Sequence, residues 1–381
     1  MTNDGADVTQ RRVVDDPGER PASPADVVTT AGPYAGKNVL LTGGYGFVGS
    51  HLAAALLAQG AQVTVLDLDC SATRPSALSR KGLYGHPALR MVERDVVDEV
   101  ALATALASGG YDVVFHLAAY SMIERSALEP QASVRTNVMG IVNLLTALSA
   151  SARQDPESIV LLSTDKVYGE SGSSPTDEAA PLTGRGLYEV AKAAGDMLAR
   201  TFHQTHGLPV TVVRPCNVYG PHDYGGECRL VPRALRSIYG AAEPQPPELY
   251  FGSIQHRRDF LYVGDAVEMI LAVGATPGCA GEVFNLTGDT NLSSPEMLRS
   301  VVECAAEYER KFDERRAERI LANGIRIDLR PRKSRAVVIE NQRINGDKLV
   351  RILGVRPKVT LQEGLRRTVA AFRDYFRGAV A

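Results

Sequence analysis

The chain lacks the marks of a membrane protein, of an oxidising compartment and of a nucleic-acid binder. No apolar run among its 381 residues is long enough to span a bilayer. Lys and Arg number 42 against 44 Asp and Glu, a net charge of −2, so no basic excess is available to hold a phosphate backbone. Five cysteines (Cys70, Cys216, Cys228, Cys279 and Cys304) are scattered without metal-ligand spacing or a paired framework. Arg11-Arg12 is followed by no apolar stretch of the kind that a secretory or twin-arginine signal needs. The expectation is a reducing, cytoplasmic setting with no metal, no membrane and no nucleic-acid partner.

Hydrophobic residues make up 44% of the chain, ordinary for a globular protein, and the length suits one large α/β unit or two modest domains. Residues 1–35 are polar and carry Pro17, Pro21, Pro24 and Pro33, which predicts a flexible tail. The rest is organised around Asn38 to Asp69, NVLLTGGYGFVGSHLAAALLAQGAQVTVLDLD. Val39 to Leu41 is a short apolar run suited to a strand buried on both faces. Gly43, Gly46 and Gly49 follow at three-residue spacing, Phe47 to Gln59 has helical composition, and Gly60 is placed to end the helix. Gln62 to Leu66 is a second strand with Asp67 at its end. Such glycines let the backbone approach a pyrophosphate, and the following helix turns its free N–H groups toward the anion. An aspartate at the second strand end accepts from a ribose diol and repels a 2′-phosphate, which predicts NAD rather than NADP. A turn that merely packs helix on sheet would leave Asp67 unexplained.

Further strands are expected at Leu89–Val92, Val113–Leu117, Ile159–Ser163, Val210–Pro215 and Glu282–Leu286. The fold class is therefore a Rossmann-like doubly wound parallel sheet with a smaller mixed α/β C-terminal substrate domain. We expect the NAD-binding domain over 36–215, with a return near 255–275, and the substrate domain over 216–381. Cys70 to His86 is expected to be a loop, and a helix is expected from Asn137 to Ala152. His116 is expected to be a packed structural histidine. In the charged stretch after Val301, Cys304, Tyr308 and Phe312, a solvated helix face is expected over Glu309–Glu318.

Strand five runs into Thr164-Asp165-Lys166, and a later helix carries Tyr188-x-x-x-Lys192. Positions i and i+4 share one helical face. A phenol titrates near about 10 when unperturbed, and an ammonium one turn away together with a positive nicotinamide ring would favour the phenolate. With a hydroxyl at the strand end, Thr164, this is a unit for taking a proton from an alcohol while hydride leaves its carbon. The bland alternative is a surface Tyr–Lys pair.

These motifs resemble the extended short-chain dehydrogenase/reductases, the NAD-dependent nucleotide-sugar epimerase/dehydratase family. Its Thr-Gly-Gly-x-Gly-Phe-x-Gly stands here as Thr42 to Gly49, its asparagine segment as Arg214-Pro215-Cys216-Asn217-Val218-Tyr219-Gly220-Pro221, and its Arg-Asp-Phe-x-Tyr-Val-x-Asp as Arg258 to Asp265. The resemblance covers about residues 36–376. It implies cofactor contacts from Gly43, Gly46, Phe47, Val48, Gly49, Asp67, Asp95, Val96, Leu117, Ala118, Ala119, Tyr188 and Lys192. It implies an adenine contact for Asp95, whose alternative is a helix N-cap. It implies nucleotide-sugar contacts from Ser126, Asn217 and Arg258, with Arg258 at the diphosphate and Asn217 at the diphosphate or the nicotinamide side. Asn137 either caps locally or supports Lys192 through water. A nucleotide arginine is expected at Arg330 or Arg332. The family also implies a homodimer built on the helices at Asn137–Ala152 and Leu187–His206.

Transient oxidation at sugar C4 is the step this branch shares. Thr164-Asp165-Lys166 is similar to the Thr-Asp-Lys of CDP-glucose 4,6-dehydratases and of inverting N-acetylglucosamine dehydratases, whereas dTDP-glucose dehydratases carry Thr-Asp-Glu. The resemblance implies 4,6-dehydration, with Asp165 as acid and Lys166 as base or relay. The alternatives are a 4-epimerase, then a decarboxylase, then a non-catalytic NAD-binding sensor, with Asp165 and Lys166 as a structural ion pair.

Overall fold

Alternation along the strands divides the core into two layers. In β1 (Asn38–Thr42), Val39 and Leu41 enter one apolar cluster and Leu40 the other. The same split separates Val63 and Val65 from Leu66 in β2 (Gln62–Asp67), and Val113 and Phe115 from Val114 in β4 (Val113–His116). It also separates Val160 from Ile159 and Leu161 in β5 (Ser158–Leu162), and Val213 from Val212 in β6 (Val210–Pro215). One layer is closed by α1 (Phe47–Ala58), through Leu52 and Leu56, and by the helix Val263–Gly274 through Ile270 and Val273. The other is closed by Leu102 and Leu106 of the helix Glu99–Ala107 and by Leu144 and Leu148 of the helix Gly140–Ser149. Each such side chain contributes about 1.5–3 kcal/mol by leaving water.

The chain is described here from a computed structural model that covers residues 32–378 apart from 72, 74, 108, 151–155, 226–228, 251–253, 329–336 and 338. The expected tail therefore lies outside the described residues up to position 31, as do Ala152, Cys228, Arg330 and Arg332. With β3 (Leu89–Glu93) and the strand Val283–Leu286, the central sheet has seven parallel strands. Their order is Val283–Leu286, β6, β5, β4, β1, β2, β3, so the chain reverses direction across the sheet between β1 and β4. The crevice outside the carboxyl ends of those two strands is where an open α/β sheet binds its ligand.

Beyond β6, short ladders replace the sheet. Asn217–Tyr219 pairs in parallel with Phe260–Tyr262, Arg257–Arg258 runs antiparallel to Leu292–Ser293, and Glu248–Tyr250 pairs with Arg326–Asp328. The helices Leu230–Tyr239, Ser294–Glu309, Glu314–Asn323 and Leu361–Arg377 pack together around Ser294–Glu309.

Three local expectations are corrected. Asn137 does not open a helix. Pro130 takes the first-turn position, helical backbone runs from Pro130 to Ser149, and Asn137 sits in a π-helical turn, Arg135–Met139, inside it. Cys70–His86 is not wholly loop, because Ser76 and Ser79 form a reciprocal capping box that starts the short helix Ala77–Arg80. The charged stretch from Glu309 is not a uniformly solvated face. Glu309 and Arg316 are buried, Glu309 accepting from Arg373 at 2.9 Å while Arg316 donates to the carbonyls of Ile238 and Ala242.

Candidate active site

The turn after β1 has the shape of a pyrophosphate cradle. Gly43 has φ +70°, and a Cβ there would lie 2.5 Å from the Ala118 nitrogen. A Cβ on Gly49 would lie 2.2 Å from the Gly43 carbonyl oxygen, so only glycine lets α1 start this close to the turn. Gly46 is the N-cap of α1 and offers no side-chain cap, and no acidic residue stands in the first turn beside Phe47 and Val48. The helix-start N–H groups are thus left for an anion. Asp67 closes β2, its Oδ2 accepting from the Tyr45 N–H at 2.9 Å and its Oδ1 from the Leu68 N–H at 2.8 Å.

On the β3 side, Asp95 Oδ1 accepts from the Val97 N–H at 2.9 Å. The alternative role as helix cap falls to Asp98, which accepts from the Ala101 N–H at 2.9 Å. Val96 is buried in the second core layer, and Leu117, Ala118 and Ala119 follow β4 at the crevice. These groups fit a dinucleotide laid across the strand ends. His116 is structural in geometry: Nδ1 meets the Thr42 hydroxyl at 2.8 Å, and burial together with the Lys192 charge pulls its pKa down to about 3.

At the β5 end the chain draws a compact polar group together. Thr164 caps a 3₁₀ turn, Asp165–Tyr168, by accepting from the Lys166 N–H. Its hydroxyl also donates to Asp165 Oδ1 at 3.1 Å and lies near enough to the Tyr188 phenol to favour its ionised form. Asp165 is buried, and Oδ1 also accepts from Lys166 Nζ at 3.0 Å, while Oδ2 is buried with no partner among the described residues. Because the turn is not extended strand, Asp165 and Lys166 do not diverge to opposite faces.

Tyr188 and Lys192 are buried on one face of the helix Leu187–His206. Burial, then the Asp165 charge, pushes the phenol up, and the Thr164 hydrogen bond and Arg229 oppose this. Lys192 Nζ donates to the Leu162 carbonyl at 2.6 Å. Its ammonium is therefore bound at the β5 end, and the largest influences that favour the phenolate come from Thr164 and Arg229 instead. Burial brings Lys192 down to about 8 against the pull of Asp196.

Of the expected sugar-nucleotide contacts, Asn217 joins this group and two stand apart. Asn217 Oδ1 accepts from Lys166 Nζ at 3.1 Å. Arg258 lies close enough to feel the Asp165 charge, yet its guanidinium donates to the carbonyls of Arg257, Ile339 and Glu340. Ser126, in the helix Ile123–Leu128, is fully buried with its hydroxyl unpartnered among the described residues. Asn137 neither caps a helix end nor meets Lys192 directly. Its amide clasps Tyr120, accepting from its N–H at 2.9 Å and donating to its carbonyl at 3.1 Å.

Three residues that shape the site went unread in the sequence. Asp196 is one turn beyond Lys192, and its carboxylate takes two bonds of 2.8 Å from the buried Arg214 of β6. The Tyr188, Lys192, Asp196 spacing along one helical face was the available signal. Glu189 is buried beside Tyr188, and a Cβ on Gly184 would lie 2.5 Å from its Cβ, which requires glycine there. Asp259 anchors Asn217 and gave no signal beyond its place in an Arg-Asp-Phe string.

Residues 39–287 match the NAD dependent epimerase/dehydratase family. A dTDP-glucose 4,6-dehydratase of Streptomyces griseus is 35% identical over 351 residues, 89% of this chain and 94% of the relative. The human dTDP-D-glucose 4,6-dehydratase is 29% identical, over 89% of this chain and 91% of its own. The crystal structure of a double mutant of DesIV, a dTDP-glucose 4,6-dehydratase from Streptomyces venezuelae with NAD and DAU bound, superposes with a TM-score of 0.75 at 30% identity, covering 90% of this chain and 98% of that one. A UDP-glucose 4-epimerase from Thermotoga maritima with UDP-glucose gives 0.73 at 26% identity, covering 89% and 99%. With its glycine cradle, Asp67 and the Thr164–Tyr188–Lys192 group in one crevice, the chain belongs to the NAD-dependent epimerase/dehydratase family and is an NAD-dependent enzyme of that class.

Proposed function

We propose that the enzyme converts a nucleotide sugar to its 4-keto-6-deoxy form by 4,6-dehydration, with dTDP-glucose as the first substrate to test. The carrying observation is Asp165, a buried carboxylate with Oδ1 shared by Thr164 and Lys166, Oδ2 without a partner among the described residues, and a charge that reaches the Tyr188 phenol. The dTDP-glucose dehydratase relatives support the same reading. Asp165-Lys166 in place of their Asp-Glu leaves the sugar and its base open to the test below.

In this reading the glycine turn and α1 hold the cofactor's pyrophosphate, Asp67 the adenosine ribose, Asp95 the adenine, and Leu117 to Ala119 its central part. NAD, when bound, would supply the hydride acceptor for C4 and the hydride donor for C6. Tyr188 takes the C4 hydroxyl proton. The ketone acidifies C5–H, Lys166 as free amine takes that proton, and Asp165 Oδ2 gives its proton to the C6 hydroxyl, which departs as water. Lys166 then returns its proton to C5. Each turnover leaves Tyr188 with one proton more and Asp165 with one fewer. Thr164, within reach of both, is the hydroxyl that closes this balance. Asp165 and Lys166 hold the same number of protons as an ion pair and as acid plus amine, so the active form needs only an internal transfer.

Incubation with dTDP-glucose and other nucleotide sugars in heavy water tests this by mass spectrometry. Loss of one water with one deuterium gained at C5 is expected. A product of unchanged formula without deuterium would make the enzyme a 4-epimerase and return Asp165-Lys166 to a structural pair.

A homodimer belongs to the same reading. Leu128, Val134, Met139, Leu187, Val190 and Met197 are exposed on the packed helices around Asn137 and Leu187–His206. An unpartnered apolar surface of this kind favours self-association. Val190→Glu with Met197→Glu should convert a dimer to a monomer in light scattering, with melting little changed. A monomeric parent protein would remove the dimer.

A further inference from the structure

We propose that Asn217 is a positioning residue for Lys166, holding its amine so that the free vertex of the nitrogen points at C5 of the sugar. This rests on the dehydratase reading, in which Lys166 is the base. A neutral amine has one bond to carbon, two N–H bonds and one lone pair. Two acceptors, Asp165 Oδ1 at 3.0 Å and Asn217 Oδ1 at 3.1 Å, engage the two N–H bonds and so fix the direction of the lone pair.

The amide is itself held in that orientation. Its Nδ2 donates one N–H to the Asp259 carbonyl at 3.0 Å, which turns Oδ1 toward Lys166. The Asn217 N–H donates to the same carbonyl, and the residue is locked in a parallel ladder against Phe260. The buried Asp259 carboxylate is fixed in turn by the Thr290 N–H at 2.9 Å, the Thr290 hydroxyl at 3.0 Å and the Thr287 hydroxyl. A rigid chain thus runs from the Thr287–Thr290 loop through Asp259 and Asn217 to Lys166. A neutral acceptor suits the task, since a carboxylate in its place would hold the proton on the amine.

The test uses Asn217→Ala, Lys166→Ala and the double variant, with dTDP-glucose in heavy water. C5 deuterium uptake, C4 oxidation read by reduced cofactor, and the kcat and KM of water loss are followed. Asn217→Ala should lower the C5 exchange rate and kcat about ten- to hundredfold, the cost of a misdirected reacting group, with KM within about twofold. In Lys166→Ala, exchange should be lost and restored by added ethylamine. The amine-rescued rate should also fall in the double variant, since the added amine meets the same Asn217 oxygen. An Asn217→Ala effect confined to KM would overturn the proposal and place Asn217 on the substrate. Wild-type exchange in Lys166→Ala would instead overturn the base reading itself. Asn217→Ser, which keeps a small polar side chain on the same ladder, repeats the kcat and KM comparison if the alanine variant does not fold.

Discussion

Tyr188→Phe will lower the rate of C4 oxidation about a thousandfold and leave the protein folded with NAD bound. The phenol is the group that would take the C4 proton in this reading, and phenylalanine keeps its packing. Burial and the Asp165 charge both hold the proton on Tyr188, so the phenolate is costly until a cation stands beside it. The pH profile follows from the sign of that shift. A base whose pKa is raised is unprotonated only at higher pH, so the rate of C4 oxidation should climb with pH on the acid limb, and Tyr188→Phe should flatten that limb. Asp165→Asn removes the nearer anion and should move the limb to lower pH. Stopped-flow appearance of reduced cofactor measures both. Loss of the phenol hydroxyl costs about 1 kcal/mol, a shift of a few degrees in melting at most. Undiminished oxidation in Tyr188→Phe would mean that another group takes the C4 proton.

Much of this was legible because backbone geometry writes itself in glycine and in period-two alternation. Gly43 and Gly49 announced the cradle because any Cβ there would meet the Ala118 nitrogen or the Gly43 oxygen. Val39 to Leu41 announced a doubly covered strand because Leu40 and its neighbours serve opposite core layers. The seven-stranded sheet and the candidate dinucleotide cradle followed from repeats of those two signals. Asn137 was misread because a polar residue before an apolar run looks like a cap. Its amide is instead satisfied across the chain by Tyr120, and Gly195 lets the π-helical turn approach, since a Cβ there would lie 2.5 Å from the Asn137 oxygen. Glu309 and Arg316 were misread for a related reason. Local composition reports charge density, whereas their burial depends on Arg373 and on two carbonyls some 70 residues away.

The candidate catalytic group was legible as residue types and not as a bonding pattern. Tyr188 and Lys192 share a face as helix periodicity demands, yet the ammonium is bound by the Leu162 carbonyl rather than committed to the phenol. No local rule foretells which acceptor a long side chain will choose. Lys166 illustrates the same limit: its partner Asn217 is 51 positions away and arrives through a ladder that alternation alone does not reveal.

Asp165→Asn will separate the two halves of the reaction. The amide can keep its oxygen at the Oδ1 position, where it still accepts from Thr164 and Lys166, and places a nitrogen where Oδ2 stood. Lys166 then remains aimed, and an amide N–H is far too weak an acid to protonate a departing hydroxide. C4 oxidation and C5 deuterium uptake should persist within about tenfold, while water loss falls about a hundred- to thousandfold, the share of a general acid. Reduced cofactor should accumulate, because hydride has no C6 acceptor until water has left. Each alternative role for Asp165 makes a different pattern. A structural ion pair would lose stability and all three steps together, as breaking a buried pair costs about 3–5 kcal/mol. A base at C5 would lose deuterium uptake first. Water loss at the parent rate would take Asp165 out of the chemistry and leave Lys166, as an ammonium, the nearest remaining acid to the C6 oxygen. The outcome therefore turns on Oδ2, the one oxygen of the pair that the fold leaves without a partner among the described residues.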